Sequence, residues 1–370
     1  MGFRVPCPTE ERFTYPLGTR LTRVGLGSTL VVDDANVGDN TSSVTGFTIQ
    51  SREDTEVVGI RMLRAVALAA GALGGLSGAA YGLLSEQSRR ARRAIGSLEG
   101  PPPCADGVYL PDGTGPLAPD APEIGETPLV FAMLGDSSAA GLGVDHAGQL
   151  PGVLLARGLA AEAQRPVRLA TYAIVGATSR ELAGQVDAAL LDRPDIALVI
   201  IGANDVTTKL STSTSATLLG TEVRRLCDAG VRVVVGTCPD LGAIRPIPQP
   251  LRSVARAWSL ALARAQRRAV EAAGGYPVPL ADLLAEEFLA RPAELFSVDQ
   301  FHPSGAGYET AARTLLPWVC VAAEVWSGPV PSAPARSTAA EAQRPTTRAV
   351  AWLNRALRQI RPAQAGDVRP

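Results

Sequence analysis

Short apolar runs alternate with longer helical stretches between residues 128 and 326, and this alternation constrains the fold more than any other feature. The runs are continuously apolar, which is typical of strands buried on both faces of a parallel sheet. The predicted strands are Leu129–Leu134, Val167–Val175, Ile196–Ile201, Val231–Gly236 and Tyr276–Leu280. The pattern therefore predicts an α/β fold, a three-layer α/β/α sandwich with a mainly parallel five-stranded sheet.

Helical segments connect the predicted strands. An apolar face is clearest in Ser253–Ala273, where Val254, Trp258 and Leu262 recur at helical spacing. The predicted helices are Val153–Ala163, Arg180–Leu191, Ala216–Ala229, Ser253–Ala273 and Ala306–Val325. In sheets of this kind the site lies at the carboxyl ends of the strands, so functional side chains are expected there.

The chain outside this α/β region divides by composition. Residues 97–127 are rich in Pro, Gly and Asp, and residues 327–346 are rich in Pro, Ala and Ser, so both are interpreted as linkers. The predicted segments are a disordered or mistakenly translated extension (1–60), a hydrophobic anchor or signal segment with a basic flank (61–96), a linker (97–127), the α/β domain (128–326), a linker (327–346) and a basic amphipathic tail (347–370).

The apolar run Ala65–Leu84 has about the length that crosses a bilayer, which is roughly 20 residues. It is open to three interpretations: a membrane anchor, a secretory signal peptide, or a buried helix of a soluble domain. Residues 1–60 show no sustained period, and translation from Met62 would place the run at the natural N-terminus. We therefore predict a chain associated with a membrane through residues 65–84, or exported by a signal peptide.

The membrane face is left undetermined. Four arginines follow the run, at 89, 90, 92 and 93, and such positive flanks tend to stay on the cytoplasmic side. That orientation would keep the α/β domain inside the cell, against export. In the tail, Val350, Leu353 and Leu357 share a helix face flanked by arginines, which indicates a docked or solvated helix or contact with a membrane surface.

Charge and composition exclude several function classes. The net charge of −1 provides no overall attraction for nucleic acid. The five cysteines are odd in number and include no CxxC pair, which argues against a disulfide framework or a thiolate metal site. With only two histidines, His146 and His302, a multi-histidine metal site is also disfavoured, so we predict no cofactor and no metal.

Three predicted strands end in residues suited to acyl chemistry. Ser137 follows the first strand between small residues, where the next helix supplies free backbone N–H groups. Gly176 follows the second and permits close approach of the backbone to an anion, while Asn204 follows the third and offers a side-chain amide. Each alone is more typical of an ordinary turn or helix cap.

A fourth segment, Asp299-Gln300-Phe301-His302, supplies a base. Serine is a poor nucleophile at neutral pH and needs a base that titrates near pH 7, as histidine does. A carboxylate three residues earlier can hold the second nitrogen of the imidazole.

Taken together and in this order, the four segments resemble the sequence blocks of the SGNH (GDSL-type) hydrolases over roughly residues 128–325. The resemblance implies a flavodoxin-like sandwich in which Ser137 is the nucleophile, His302 the base and Asp299 the residue that orients it. It also implies an oxyanion hole formed by Ser137, Gly176 and Asn204. One departure is Ser138, which stands where the best-known spelling of the motif has leucine and is a second candidate nucleophile.

Three further residues lie near these segments. His146 is interpreted as a solvent-facing loop residue or a residue at the pocket entrance, and Asp240 as a turn residue or part of the pocket wall. Cys238 is interpreted as buried packing rather than as a second nucleophile.

The resemblance implies a metal-independent serine esterase acting on small-molecule acyl esters, either lipid-like or acetylated sugars. Acyl transfer, thioester cleavage and deacetylation would use the same site and are alternatives. A non-catalytic, membrane-tethered binding module on the same fold is an alternative of a different class. The sequence does not report the oligomeric state.

Overall fold

The computed structural model of the chain describes residues 81–95, 98 and 100–329. Residues 1–60, most of the segment 61–96 and the tail 347–370 lie outside these residues, and so do the predictions made for them. Among the described residues, no helix is both long and apolar enough to cross a membrane.

Six strands form one sheet in the order β1-β3-β2-β4-β5-β6. They are β1 (Gly107–Tyr109), β2 (Leu129–Gly135), β3 (Val167–Thr171), β4 (Ile196–Ile200), β5 (Arg232–Gly236) and β6 (Tyr276–Val278). All neighbours are parallel except β1, which pairs antiparallel with β3. The predicted α/β class with a mainly parallel sheet is confirmed, and the number of strands is six rather than five.

The additional strand lies in a segment that we interpreted as a linker, 97–127, and this interpretation is wrong for residues 107–109. Gly107 pairs with Leu169 and Tyr109 with Val167 at the edge of the sheet. Tyr109 is fully buried and its hydroxyl donates to the carbonyl of Ala105 at 2.6 Å. A three-residue strand among Pro and Gly residues is too short to show a polarity pattern, so its sequence gave no periodic signal.

Helices cover both faces of the sheet. The helices of the described residues are α1 (81–95), α2 (Ser137–Ala140), α3 (Pro151–Ala163), α4 (Leu182–Leu191), α5 (Ala203–Thr207), α6 (Thr212–Asp228), α7 (Leu251–Ala273), α8 (Leu280–Ala290), α9 (Pro292–Leu295) and α10 (Gly305–Ala322). Alternate residues of β2 point to opposite cores: Phe131 and Met133 pack with α3 and α10, whereas Ala132 and Leu134 pack with α4 and α6. The result is the three-layer sandwich expected of continuous apolar strands.

Helix α1 contacts the α/β region. Ala91 is buried in the same core as Phe131, and the Gln87 side chain bonds the carbonyl of Gln249 at 2.7 Å and the amide of Leu251 at 3.1 Å. Of the hydrophobic run Ala65–Leu84, only residues 81–84 are described, and they are helical.

The cysteines differ in state. Cys227, Cys238 and Cys320 are free, whereas Cys104 is disulfide-bonded. The sequence argument was directed against a disulfide framework, and an odd count without a CxxC pair does not exclude a single disulfide such as that of Cys104.

Candidate active site

Ser137 is placed by the sharp turn at the carboxyl end of β2. Gly135 ends the strand with φ +135°, and a Cβ atom there would lie 1.9 Å from the carbonyl oxygen of Ile200, so only glycine fits. Asp136 then caps α2 by accepting a hydrogen bond from the amide of Ser138 at 2.9 Å. Ser137 is the first residue of α2 and is 6% exposed.

Asp299 and His302 lie on a short hairpin that is closed by a bridge between Phe296 and Pro303. Gln300 turns the chain with φ +55°, and the amide of Ser297 donates to the carbonyl of His302 at 2.8 Å. The loop after α2 packs closely against this hairpin, because a Cβ on Gly143 would lie 2.6 Å from the carbonyl oxygen of Pro303.

The three side chains form one hydrogen-bonded series. His302 Nε2 lies 3.0 Å from Ser137 Oγ, and His302 Nδ1 lies 2.6 Å from Asp299 Oδ2. The other carboxylate oxygen of Asp299 accepts bonds from the hydroxyl of Ser297 and the amides of Phe301 and His302. Burial alone would raise the pKa of Asp299, but these four hydrogen bonds, led by that from His302, lower it to about 2. Asp299 is therefore an anion at neutral pH.

The two predicted oxyanion donors, Gly176 and Asn204, lie on neighbouring segments. Strand β3 ends at Thr171 rather than at Val175 as predicted, and the chain continues in a loop where Ile174 and Val175 are about half exposed. Gly176 follows with φ +84° in a turn in which the amide of Ala177 donates to Ile174. The side-chain amide of Asn204 donates to the carbonyl of Ala177 at 3.0 Å, which places Asn204 directly beside this loop.

The remaining candidates are placed as follows. His146 is exposed in a loop, as expected of a solvent-facing residue. Cys238 is fully buried, and burial raises the pKa of its thiol well above the usual value, so it is not a competing nucleophile. Asp240 is buried, accepts a bond from the amide of Gly242 at 2.8 Å and lies 3.3 Å from Arg256. The side chain of Ser138 lines the cavity described below.

Comparisons with known proteins agree with these observations. Residues 133–310 match the model of the GDSL-like lipase/acylhydrolase family. The GDSL-like esterase Rv1075c of Mycobacterium tuberculosis is 48% identical over 258 residues, which is 68% of this chain and 81% of that protein. The chain belongs to the GDSL-like lipase/acylhydrolase family.

Two solved structures are among the matches. A lipase/acylhydrolase from Enterococcus faecalis is 20% identical with a TM-score of 0.42, and the match covers 54% of this chain and 98% of that protein. An acetylxylan esterase from Geobacillus stearothermophilus is 19% identical with a TM-score of 0.41, covering 51% and 93%. The resemblance to the GDSL-type hydrolases is confirmed by the family match, which includes Ser137, Gly176, Asn204, Asp299 and His302 within its range.

An apolar cavity of about 110 Å³ lies beside His302 on the α8 and α10 side of the sheet. Its walls come from the segment after β5, from α8, from the Asp299/His302 hairpin and from α10. The apolar residues that line it include Leu241, Ile244, Leu280, Leu284, Phe288, Phe296, Phe301 and Leu315. Helix α8 was not predicted: its first residue, Leu280, was assigned to the end of the fifth strand, and residues 281–290 were assigned to no element.

Three buried polar residues that support the site were also missed. Gln185 of α4 bonds both backbone groups of Gly135, and Gln266 of α7 bonds the carbonyl of Ile201 and the amide of Cys238. Tyr308 of α10 is 2% exposed and donates its hydroxyl to the carbonyl of Leu142, in the loop after α2. No sequence signal separates these residues from ordinary polar positions of an amphipathic helix.

No group of three or more His, Cys, Asp or Glu side chains arranged for a metal ion is found in the described parts of the chain.

Proposed function

We propose that this chain is a serine esterase that hydrolyses acyl esters through Ser137, His302 and Asp299. The observation on which the proposal rests is the hydrogen-bonded series from Ser137 Oγ to His302 Nε2, at 3.0 Å, and from His302 Nδ1 to Asp299, at 2.6 Å. A histidine in this position can accept the serine proton while the carboxylate stabilises the imidazolium that forms. The low pKa of Asp299, about 2, keeps that carboxylate ionised.

The reaction has two steps, formation of an acyl-serine and its hydrolysis. Ser137 Oγ bonds to the ester carbonyl carbon while its proton passes to His302 Nε2. The tetrahedral intermediate then collapses, the bond from the carbonyl carbon to the leaving oxygen breaks, and His302 gives its proton to that oxygen, which departs as the alcohol. Water attacks the resulting acyl-serine in the same way, giving the carboxylic acid and free Ser137.

The negative oxygen of the intermediate needs hydrogen-bond donors that are already in place. We assign this role to the backbone N–H groups of Ser137 and Gly176 and to the side-chain amide of Asn204. Ser137 begins a helix, where N–H groups have no partner inside the helix, and Gly176 has open space on the side where a Cβ atom would stand. Asn204 uses one amide proton for Ala177 and retains a second.

The test is turnover of p-nitrophenyl acyl esters, with Ser137→Ala as the decisive variant. We expect Ser137→Ala to lose more than about 1,000-fold in kcat and all labelling by a fluorophosphonate probe. Ser138→Ala is the matched comparison, because it removes the adjacent hydroxyl but leaves the group bonded to His302, and it should still be labelled. Labelling of Ser137→Ala, or its loss in Ser138→Ala, would contradict the assignment of the nucleophile.

The cavity beside His302 favours a lipid-like acyl group over an acetyl group on a sugar. Its lining is apolar, and each methylene transferred into such surroundings contributes about 0.8 kcal/mol. An acetyl group would leave most of the cavity unfilled. We therefore infer that the preferred esters have acyl chains of several carbons.

A chain-length series tests this preference. Leu284→Trp places a larger side chain into the cavity wall contributed by α8, so kcat/KM for hexanoyl and octanoyl esters should fall while that for the acetyl ester changes little. Leu191→Trp is the control, because Leu191 lies on α4 and is 85% exposed. A uniform loss across the series would show that the cavity does not bind the acyl chain.

Acyl transfer shares the acyl-serine with hydrolysis and is separated from it by product analysis in isotopically labelled water. Label in the released acid identifies hydrolysis, whereas an unlabelled product on an added alcohol identifies transfer. Thioester cleavage and deacetylation are themselves hydrolyses, so they are distinguished by the substrate that is turned over, a thioester or a sugar acetate in place of the p-nitrophenyl ester. A wild-type protein that turns over no ester would favour the non-catalytic binding module.

A further inference from the structure

A buried cluster of one carboxylate and two serines lies behind the loop that contains Gly176. Asp205 of α5 is completely buried and accepts bonds from the amide of Ser179 at 2.8 Å and from the hydroxyl of Ser179 at 2.6 Å. Its Oδ2 atom also accepts a bond from the hydroxyl of Ser215 in α6 at 2.5 Å. Both serines are buried, and their hydroxyl oxygens lie 3.1 Å apart.

The cluster joins the loop to α5 at two points. Asp205 holds Ser179, and its neighbour Asn204 donates to the carbonyl of Ala177 at 3.0 Å. Asn204 and Asp205, which are consecutive in α5, therefore hold Ala177 and Ser179 of the loop. Ser179 donates two hydrogen bonds to Asp205, from its amide and its hydroxyl, whereas Ala177 accepts one from Asn204, so Asp205 provides the larger share of the attachment.

This attachment controls the direction of two proposed oxyanion donors. Gly176 precedes Ala177 directly, it is exposed, and a Cβ atom built on it would meet nothing within 4 Å, so side-chain packing on that face does not hold it. Asn204 is oriented by the carbonyl of Ala177, which determines where its second amide proton points. Movement of residues 177–179 would therefore displace both donors together.

We propose that Asp205 is a positioning residue: through Ser179 it holds the 174–179 loop so that the N–H of Gly176 and the amide of Asn204 face the oxyanion. The proposal rests on the esterase function proposed above. Asp205 touches neither substrate nor Ser137, so its effect should fall on stabilisation of the transition state rather than on binding of the ester.

Ser179 and Ser215 form a matched pair for the test. Each donates its hydroxyl to the same oxygen of Asp205, and each is 1% exposed or less. Ser179 lies on the loop, whereas Ser215 lies on α6. A purely structural role of Asp205 predicts that Ser179→Ala and Ser215→Ala behave alike, whereas the positioning role predicts that only Ser179→Ala impairs catalysis.

The experiment measures kcat, KM and melting temperature of the full chain for wild type, Ser179→Ala, Ser215→Ala and Asp205→Asn. We expect the two serine variants to melt at similarly reduced temperatures. The kcat of Ser179→Ala should be about 10- to 100-fold below that of wild type, whereas the kcat of Ser215→Ala should be within about two-fold of wild type. KM should stay within about two-fold in both. Asp205→Asn should lose at least as much kcat as Ser179→Ala, and if it does not fold, the serine pair decides.

Equal kcat in the two serine variants, or an effect of Ser179→Ala on KM alone, would overturn the positioning role while leaving the esterase proposal intact. A wild-type protein without ester turnover would overturn the proposed function itself, and the positioning role with it.

Discussion

Two carboxylates of the site have pKa values displaced in opposite directions, and their local contacts explain why. Asp299 accepts four hydrogen bonds, including that from His302, and these outweigh its burial so that its pKa falls to about 2. Asp136 is more deeply buried and is bonded by the amide of Ser138, so desolvation dominates and raises its pKa to about 6. The spacing of Asp299 to His302 identifies this carboxylate in the sequence, whereas no residue pattern around Asp136 indicates its protonation state.

Replacing Asp136 by asparagine should change how stability depends on pH. The pKa of Asp136 is raised from 3.8 in the unfolded chain to about 6 in the folded one. Its contribution to the free energy of unfolding is therefore greatest below pH 4 and is lost as the pH rises through about 6. The loss corresponds to about 3 kcal/mol. Asp136→Asn should escape it because asparagine does not ionise, and the variant should keep its helix cap because asparagine is also a good N-cap residue. Urea unfolding at pH 4 and pH 8 measures this, and parallel changes in variant and wild type would contradict it.

At the scale of elements, the strands and most helices were predictable because each buried strand is a continuous apolar run. The bounds of β2, β4 and β5 differ from those predicted by one residue at one end. Periodicity could not reveal which groups hydrogen-bond the backbone at the strand ends. Gly135 is bonded by Gln185, 50 residues later in the sequence, and Cys238 is bonded by Gln266, 28 residues later. A buried glutamine on a helix has the same pattern as an exposed one.

Gln266→Leu should destabilise the protein far more than its conservative volume suggests. The substitution leaves the carbonyl of Ile201 and the amide of Cys238 without the side-chain partner they now have, and each buried unsatisfied group costs about 1–3 kcal/mol. We expect a loss of about 2–5 kcal/mol in the free energy of unfolding, measured by urea denaturation. Arg267→Leu, at the next and exposed position of α7, is the control and should change stability by less than about 1 kcal/mol.

At the scale of the whole molecule, the site is assembled from segments up to 165 residues apart, as between Ser137 and His302. The order of the blocks along the chain indicated which residues would meet, since parallel strands bring their carboxyl ends to one edge. The cavity was not predictable, because its walls come from loops and from α8, whose apolar residues have no pattern specific to binding.

The N-terminal limit of the folded unit provides the last prediction. Composition placed the start of the domain near residue 128, yet β1 covers the edge of β3 through Gly107, Val108 and Tyr109. A chain that begins at residue 128 would lose helix α1 with the buried Ala91, lose the fully buried Tyr109 ring and expose the unpaired edge of β3, which is a template for intermolecular pairing. We therefore expect it to melt below the full chain and to aggregate on heating.

A single substitution separates the loss of the Tyr109 ring from the loss of the strand that covers β3. Tyr109→Ala in the full chain keeps the strand but removes the ring, and large aromatic truncations of this kind cost about 3–5 kcal/mol. If the ring accounts for the whole effect, the variant and the truncated chain should melt alike and remain equally soluble. We expect only the truncated chain to aggregate, because only there is the edge of β3 exposed. Light scattering during thermal unfolding measures this. A truncated chain as soluble as the variant would mean that β1 contributes packing but does not protect the edge of the sheet.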